Sequence, residues 1–553
     1  MAIIIHWFNN YCRHGRLRTI EPISETLIGL PQTRNINSEP HTEMGFFFFL
    51  KKILPRARVK RAHMTTFDDI KAVIKKSRPE ADLTMVELAY EFARNAHQGQ
   101  KRLDGTEYIQ HAIETAYTLA QMNLDIATVT AGLLHDVPED TAVTIQEIDK
   151  NFGPEVAKLV RGITKLGKLK YRGLERYAEN LRKMFVAMAE DVRVVFIKLA
   201  DRLHNLKTLS ALPPVKQQRI ARETLEIYAP IANRLGIGEL RGQLEDLAFK
   251  YVYPEEYEWV LKNAKTRLGE QLGYANTMIK EVKSLLEQNG ITSSSVHGRV
   301  KHYYSLYRKL QRKDMDINKV YDLVAVRIVL PDIATCYQVL GLLHGQWRPL
   351  PGRIKDYIAQ PKPNGYRSLH TTVFGPDGHI VEFQIRDIEM HEHAEYGVAA
   401  HWRYKEGERP LQLPPEQLKW IQELLEMQNQ TTDQEQYLST LKLDVFQNRI
   451  FVLTPKGDVI DLPENATPVD FAYHIHSDIG NRCSGARINE KLATLDTKLN
   501  SGDLVEIIVD KNRLGPSEDW LEFVKTNMAK THIKSYVKRK RGKLLSIFKR
   551  KSE

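Results

Sequence analysis

From Phe67 to about Lys262 apolar residues recur at three- and four-residue spacing, as in Thr84 to His97 and Thr115 to Met122, which predicts helix almost throughout. From about Asn318 the pattern changes to β-branched runs, Val320 to Val329 and His379 to Ile385, separated by helical stretches and a Pro/Gly loop. That texture predicts a mixed α+β domain. Residues 406 to 441 are rich in Gln and Glu and contain Pro410, Pro414 and Pro415, the composition of a linker carrying one helix. Beyond them, Arg449 to Thr454, Asp458 to Leu462 and Leu504 to Val509 read as short strands around a helix near Pro468 to His476. No internal repeat is visible. The expected division is an N-terminal extension at 1–64, an all-helical domain at 65–262, an α+β domain at 263–405, a linker at 406–441, a compact β-rich module at 442–510 and a basic tail at 511–553.

At 553 residues the chain is too long for one core, and with 27% charged and 42% hydrophobic residues it is ordinary multidomain globular sequence. The net charge of +11 suggests a nucleic-acid binder until its position is considered. Lys525 to Glu553 holds eleven Lys and Arg against one acid, and residues 1 to 64 hold ten against four, so the body between them is net negative. Any phosphate-binding claim for that body rests on local clusters. Cys12, Cys336 and Cys483 form no CxxC pair, which argues against zinc fingers and a disulfide scaffold and fits a reducing cytoplasm. The apolar run Gly45 to Leu50 is too short to span a bilayer, and no small-residue cleavage site follows it. Residues 1 to 63 lack sustained periodicity, and Met64 opens ordinary globular sequence, so a start assigned too early is one expectation.

The first candidate site lies in Thr130 to Asp140. His135 and Glu139 are four apart, as are Asp136 and Asp140, so one helical turn, strained by Pro138, would carry four polar groups on adjoining faces. Asp201, Asn205 and Thr208 form a polar stripe on the otherwise apolar helix Val192 to Leu209. Burying an aspartate is costly unless something compensates, and a cation does. With His111, the set His111, His135, Asp136 and Asp201 suits a borderline-hard divalent ion such as Mn²⁺, Fe²⁺ or Mg²⁺. Such an ion activates water against a phosphate ester, with Glu139 and Asp140 orienting the water and Lys101 and Arg102 meeting substrate phosphate. The bland alternative is a chance His-Asp pair, with Asp201 capping or pairing with Arg202.

The second lies in Gly298 to Lys309, where Arg299, Lys301, His302, Arg308 and Lys309 surround Ser305 at a helix head suited to polyphosphate. Asp322 opens one strand. On another, Glu382, Gln384 and Arg386 alternate with Val381, Phe383 and Ile385, so the acid points away from the apolar face. Two such carboxylates can hold Mg²⁺ against a triphosphate. Arg353, Lys355, Lys362 and Arg367 flank a loop presenting Tyr366 for stacking on a nucleobase. A solvated basic helix face and a polar loop are the plainer readings.

These residues, in this order, closely resemble the long RelA/SpoT homologues over about residues 66 to 523. The resemblance is carried by Ala96 to Arg102, the His-Asp and Glu-Asp pairs, Lys198 to Leu206, the Arg299 segment, Asn364 to Tyr366 and His391 to Trp402. It implies an HD-type hydrolase domain that removes the 3′ pyrophosphate from (p)ppGpp, usually with Mn²⁺. His111, His135, Asp136 and Asp201 match the metal ligands, Glu139 and Asp140 the catalytic acids, and Arg102, Asn205 and Thr208 nucleotide contacts. It further implies a nucleotidyltransferase-like synthetase domain moving pyrophosphate from ATP to the 3′-hydroxyl of GTP or GDP. There Asp322 matches the Mg²⁺ ligand, Glu382 the acid at the attacking hydroxyl, and Tyr366 the guanine-stacking residue. Arg299, Lys301, His302, Ser305 and Lys309 match phosphate-handling positions, and Arg353, Lys355, Lys362, His370 and Gln384 join them as nucleotide-contact candidates. Arg353 to Asp356 looks like the basic motif of bifunctional members. Residues 442 to 510 resemble a TGS domain of β-grasp fold, with His474 at the position that contacts uncharged tRNA.

The sequence departs from the family where His111 is followed by Ala112 instead of proline, and where Asp104 to Glu107 replaces Ser-Gly-Glu-Pro. It ends soon after Trp520, where longer members continue into helical, zinc-finger-like and ACT or RRM regulatory domains. Any tRNA or ribosome contact would then fall to TGS and the basic tail, whose plain reading is a solvated segment and whose alternative is loose binding to RNA or anionic membrane. The resemblance thus implies a bifunctional cytoplasmic (p)ppGpp synthetase and hydrolase. A hydrolase-only enzyme and a catalytically silent tRNA- or nucleotide-sensing protein are the alternatives.

Overall fold

The computed structural model describes residues 64–167, 174–293, 295–362, 364–403, 449–500 and 502–551. The N-terminal extension up to residue 63 and the 406–441 linker lie outside them. Among the described residues no helix is long and apolar enough to cross a membrane.

The helical region is built on a core that runs from Ile70 to Ala248 and takes in Val398 and Ala399. Helices Ile109–Gln121, Ile126–Leu134 and Arg193–Lys207 pack together at its centre. Ile126–Leu134 contains β-branched residues, yet it is helical because Asp125 caps it through the Thr128 amide and Thr128 to Leu134 are all buried. His135 and Asp136 do not sit within one strained turn. That helix ends at His135, and the separate short helix Val137–Asp140 takes Pro138 in its first turn, where no amide hydrogen is needed. The break lets His135 and Asp136 turn toward the neighbouring helices.

Helix Pro254–Gln288 runs on through the boundary expected at 262. It packs against a five-stranded sheet of order β1-β2-β5-β4-β3. The strands are β1 (Ser295–Val300), β2 (Val324–Leu330), β3 (Lys355–Asp356), β4 (Leu369–Phe374) and β5 (Ile380–Asp387). β2 and β5 are parallel and the other pairs antiparallel. One face, with Val326, Ile328, Phe383 and Ile385, is buried, with helix Ile333–Gln346 packed against the sheet. The other carries a polar row set by register: Lys355, His370, Gln384, Arg327 and His297 follow one another across β3, β4, β5, β2 and β1. Alternation on β5 therefore does not hand its polar residues to solvent, because Gln384 and Arg386 are 4% and 1% exposed.

The C-terminal module pairs β6 (Arg449–Leu453) with β7 (Val459–Pro463), and β8 (Cys483–Ile488) with β9 (Lys491–Ala493) and β10 (Val505–Val509). A parallel bridge from Leu453 to Leu504 joins the two small sheets. The basic tail is not simply solvated. Trp520, Val524, Ala529 and Ile533 enter the core with Val469 and Tyr473, and helix Asn527–Lys551 starts there. Asp470, fully buried, accepts hydrogen bonds from the amides of Thr467, Lys525 and Thr526 and from the Thr467 and Thr526 hydroxyls.

Candidate active sites

In the helical region, His111, His135 and Asp201 offer ligand atoms within 4.8 Å of one another, all three residues buried. His111 Nε2 lies 3.3 Å from Asp136 Oδ2 and from Asp201 Oδ1, and 3.2 Å from His135 Nε2. His135 Nε2 is 3.3 Å from Asp136 Oδ1, while its Nδ1 is 2.7 Å from the Gly132 carbonyl. Burial opposes charge on His135, yet the Asp136 and Asp201 carboxylates push its pKa up to about 9. A buried carboxylate, Asp201, and a half-buried one, Asp136, thus gather positive charge at the point where two imidazoles converge. That donor set fits a divalent cation.

Asp201 is also held by Lys198, whose Nζ is 2.7 Å from Oδ2, and by the Asn205 amide. Its partner is therefore not Arg202, which sits 4.0 Å over the Tyr228 ring. Tyr108 donates its hydroxyl to Asp140 Oδ2 at 2.5 Å and lies 3.0 Å from Asp136 Oδ2, tying Asp140 to the cluster. Burial, with help from Asp136 and Asp140, raises the Glu139 pKa to about 7, so this carboxyl can hold or release a proton near neutrality. Arg102 donates to Asn205 Oδ1 at 2.7 Å. Arg102, Asn205 and Thr208 line one cleft of about 600 Å³ with His111, Asp136, Asp140 and Asp201.

The second cleft, about 1190 Å³, opens over the polar face of the sheet. It gathers Arg299, Lys301, His302, Ser305, Lys309, Asp322, Arg353, Lys355, Lys362, Tyr366, His370, Glu382 and Gln384, which span 86 positions in sequence. Asp322 Oδ2 is 2.7 Å from Lys301 Nζ and 2.6 Å from Lys309 Nζ, and these ammonium groups outweigh burial to hold its pKa at about 2. Its Oδ1 is buried and has no hydrogen-bond partner among the described residues. A carboxylate oxygen left so is suited to a cation.

The head of helix Tyr303–Gln311 departs from expectation. Its Tyr304 amide donates to Asp246 Oδ1 at 2.9 Å, and Asp246 Oδ2 is 2.8 Å from His302 Nδ1. Ser305 donates to Glu245 at 3.4 Å. A carboxylate from helix Gly238–Val252 thus occupies the anion position that the sequence reading gave to polyphosphate. The approach requires Gly242, where a Cβ would come within 2.2 Å of the His302 ring. Burial opposes charge on His302, but Asp246 and Glu239 raise its pKa to about 9.

Tyr366 is half-buried instead of freely presented, because its hydroxyl is part of a closed ring of contacts. That oxygen is 2.8 Å from His370 Nε2 and accepts from Arg386 Nη2 at 3.1 Å. His370 Nδ1 is 3.5 Å from Glu382 Oε1, Gln384 Nε2 donates to that oxygen at 2.9 Å, and Arg386 Nη2 donates to Gln384 Oε1 at 3.3 Å. Lys362 Nζ lies 4.8 Å over the Tyr366 ring. His474 is exposed on helix Pro468–Ile475.

Arg327, Arg386, Tyr108, Lys198 and His204 were not singled out as site residues by sequence reasoning. Arg327 stood as a lone charge in an apolar strand, and Lys198 and His204 stand one turn on either side of Asp201, so signals existed. Their partners lie on other elements.

Three family models match the chain: HD domain over residues 89–238, Region found in RelA / SpoT proteins over 298–409, and TGS domain over 450–509. Among similar proteins is a GTP pyrophosphokinase of Myxococcus xanthus, 46% identical over 469 residues, covering 84% of this chain and 62% of that one. A guanosine-3′,5′-bis(diphosphate) 3′-pyrophosphohydrolase of Aquifex aeolicus is 47% identical over 469 residues, 84% of this chain and 66% of the relative. The bifunctional (p)ppGpp synthase/hydrolase SpoT of Escherichia coli is 44% identical over 490 residues, 88% of this chain and 70% of the relative. The chain therefore spans a little under two thirds of the first two relatives. With the HD match, the buried His/Asp cluster implies a divalent metal.

Proposed function

As the chain belongs to the RelA/SpoT family, we propose that it is a bifunctional enzyme that both hydrolyses and makes (p)ppGpp, acting in the cytoplasm in the stringent response. The observation that carries this reading is the presence in one chain of two separate clefts, one around a cation-hungry His/Asp cluster and one around Asp322 and Glu382.

In the hydrolase region, the all-helical HD domain at about 65–262, His111, His135, Asp136 and Asp201 would hold Mn²⁺. When bound, the metal makes water more acidic and polarises a phosphoryl oxygen. Glu139 and Asp140 orient the attacking water and handle its proton, with Tyr108 fixing Asp140. Arg102, Asn205 and Thr208 meet the nucleotide. Water adds to phosphorus, the bond to the 3′ oxygen breaks, that oxygen takes a proton, and GDP or GTP leaves with pyrophosphate.

In the synthetase region, at about 263–405, Asp322 would hold Mg²⁺ through the oxygen that lacks a partner. Glu382 takes the proton of the 3′-hydroxyl of GDP or GTP as that oxygen attacks the β-phosphorus of ATP, and AMP leaves. Tyr366 stacks on guanine, and Arg299, Lys301, Ser305, Lys309, Arg353, Lys355, Lys362, His370 and Gln384 engage phosphates and base. His302, which lines the same cleft, is proposed to join them, its ring held by Asp246 through Nδ1. The TGS region at 442–510 is proposed to touch uncharged tRNA or the ribosome at His474, with the basic helix beside it.

Two assays test this reading: release of pyrophosphate from labelled ppGpp with Mn²⁺, and labelled ppGpp formation from ATP and GDP with Mg²⁺. His135→Ala is expected to abolish the first and Glu382→Ala the second alone. Loss of both activities in both variants would refute the two-site assignment, and a wild type inactive in either assay would refute that half.

A further inference from the structure

Of the two imidazoles in the His/Asp cluster, each must present an unprotonated Nε2 to bind a cation, so each must carry its proton on Nδ1. His135 meets this condition through the backbone, since its Nδ1 faces the Gly132 carbonyl at 2.7 Å. A carbonyl only accepts, so that tautomer is fixed by the fold itself. Among the described residues no carbonyl faces the Nδ1 of His111. Its Nδ1 faces the Nδ1 of His204 at 2.7 Å, and both rings are buried, at 1% and 7% exposure.

A nitrogen-to-nitrogen contact of that length is a hydrogen bond with one proton between two lone pairs, and its direction is not fixed by the backbone. If His204 donates, His111 carries its proton on Nε2 and aims an N–H at Asp136 and Asp201. If His204 accepts, the one proton of its neutral ring sits on its own Nε2, the shared proton belongs to His111 Nδ1, and His111 Nε2 is free. We infer that His204 is a positioning residue for the metal, accepting the His111 Nδ1 proton and so holding the ligand nitrogen of His111 unprotonated toward Asp136, Asp201 and His135. The helix Arg193–Lys207 then serves the cluster twice, through Asp201 and, one turn on, through the group that sets the tautomer of a ligand borne by helix Ile109–Gln121. This inference rests on reading the cluster as a metal site.

The test is Mn²⁺ binding, followed by the electron paramagnetic resonance signal of free Mn²⁺ during titration of the metal-stripped full chain. Wild type, His204→Phe, His204→Asn and His135→Ala are compared, with melting temperatures taken without metal. Loss of an orienting partner typically weakens metal binding about 10- to 100-fold, so His204→Phe is expected to fall in that range. His204→Asn, whose side-chain oxygen still accepts, should recover most of the loss. His204→Leu replaces a Phe variant that does not fold. Wild-type affinity in the Phe or Leu variant would overturn the inference. So would equal weakening in the Asn and apolar variants at unchanged melting temperature, which would mean that packing matters and accepting does not. A wild type that binds no Mn²⁺, like His135→Ala, would instead overturn the metal reading itself and this inference with it.

Discussion

Replacing Tyr366 by Phe removes one oxygen and keeps the aromatic face, which separates two roles of that residue. The hydroxyl accepts from Arg386 Nη2 at 3.1 Å and contacts His370 Nε2 at 2.8 Å. Arg386 is 1% exposed, and among the described residues its Nε and Nη1 already lack hydrogen-bond partners, so the Phe variant leaves the guanidinium with only Gln384 among them, at 3.3 Å. A hydrogen bond to a charged buried group is worth about 1.5–3 kcal/mol. At about 1.36 kcal/mol per decade, that becomes roughly a 10- to 100-fold rate effect if the constraint acts mainly in the transition state. It should act there, because the freed His370 is the group 3.5 Å from Glu382. Steady-state kinetics of pyrophosphate transfer from ATP to GDP should show kcat reduced by that factor and KM for GDP changed by less than about threefold. A raised KM at wild-type kcat would refute the ring as a coupling device and leave Tyr366 as a stacking platform only.

The contact between His302 and Asp246 should depend on pH. Since Asp246 and Glu239 raise the His302 pKa from 6.5 in the unfolded chain to about 9, its stabilisation is complete below the lower value and lost as pH rises through the higher. The full effect is of order 3 kcal/mol, so the melting gap between wild type and Asp246→Asn should shrink between about pH 6 and about pH 10. A pH-independent gap would contradict this. Asp470→Ala leaves the buried Thr467 and Thr526 donors without their acceptor, at about 1–3 kcal/mol each, and the half-buried Lys525 amide with them. Limited proteolysis should then cut between residues 511 and 526 while both catalytic activities persist, and a variant as resistant as wild type would show that Asp470 does not hold that segment.

Much of the fold was legible because its signals are local. Three-and-four spacing marked the helical half, and β-branched runs marked β2 and β5 within a few residues. β1, β3, β4, β8 and β9 were missed, since short strands with mixed polarity acquire their state from pairing partners. The cleft residues were legible as types and spacings: His135 beside Asp136, a polar stripe at Asp201, Asn205 and Thr208, and an acid alternating on β5.

What the sequence by itself determined was therefore which residues are able to do chemistry, since composition and periodicity expose polar groups where a helix or strand should be apolar. Only the tertiary structure decided what each of them touches. It placed Asp246 at the helix head expected to take polyphosphate, closed the ring from Tyr366 to Glu382, and set His204 against His111 across 93 positions. Those outcomes depend on register and on helix packing, where a shift of one residue or a fraction of a turn changes the partner, and no local pattern encodes them.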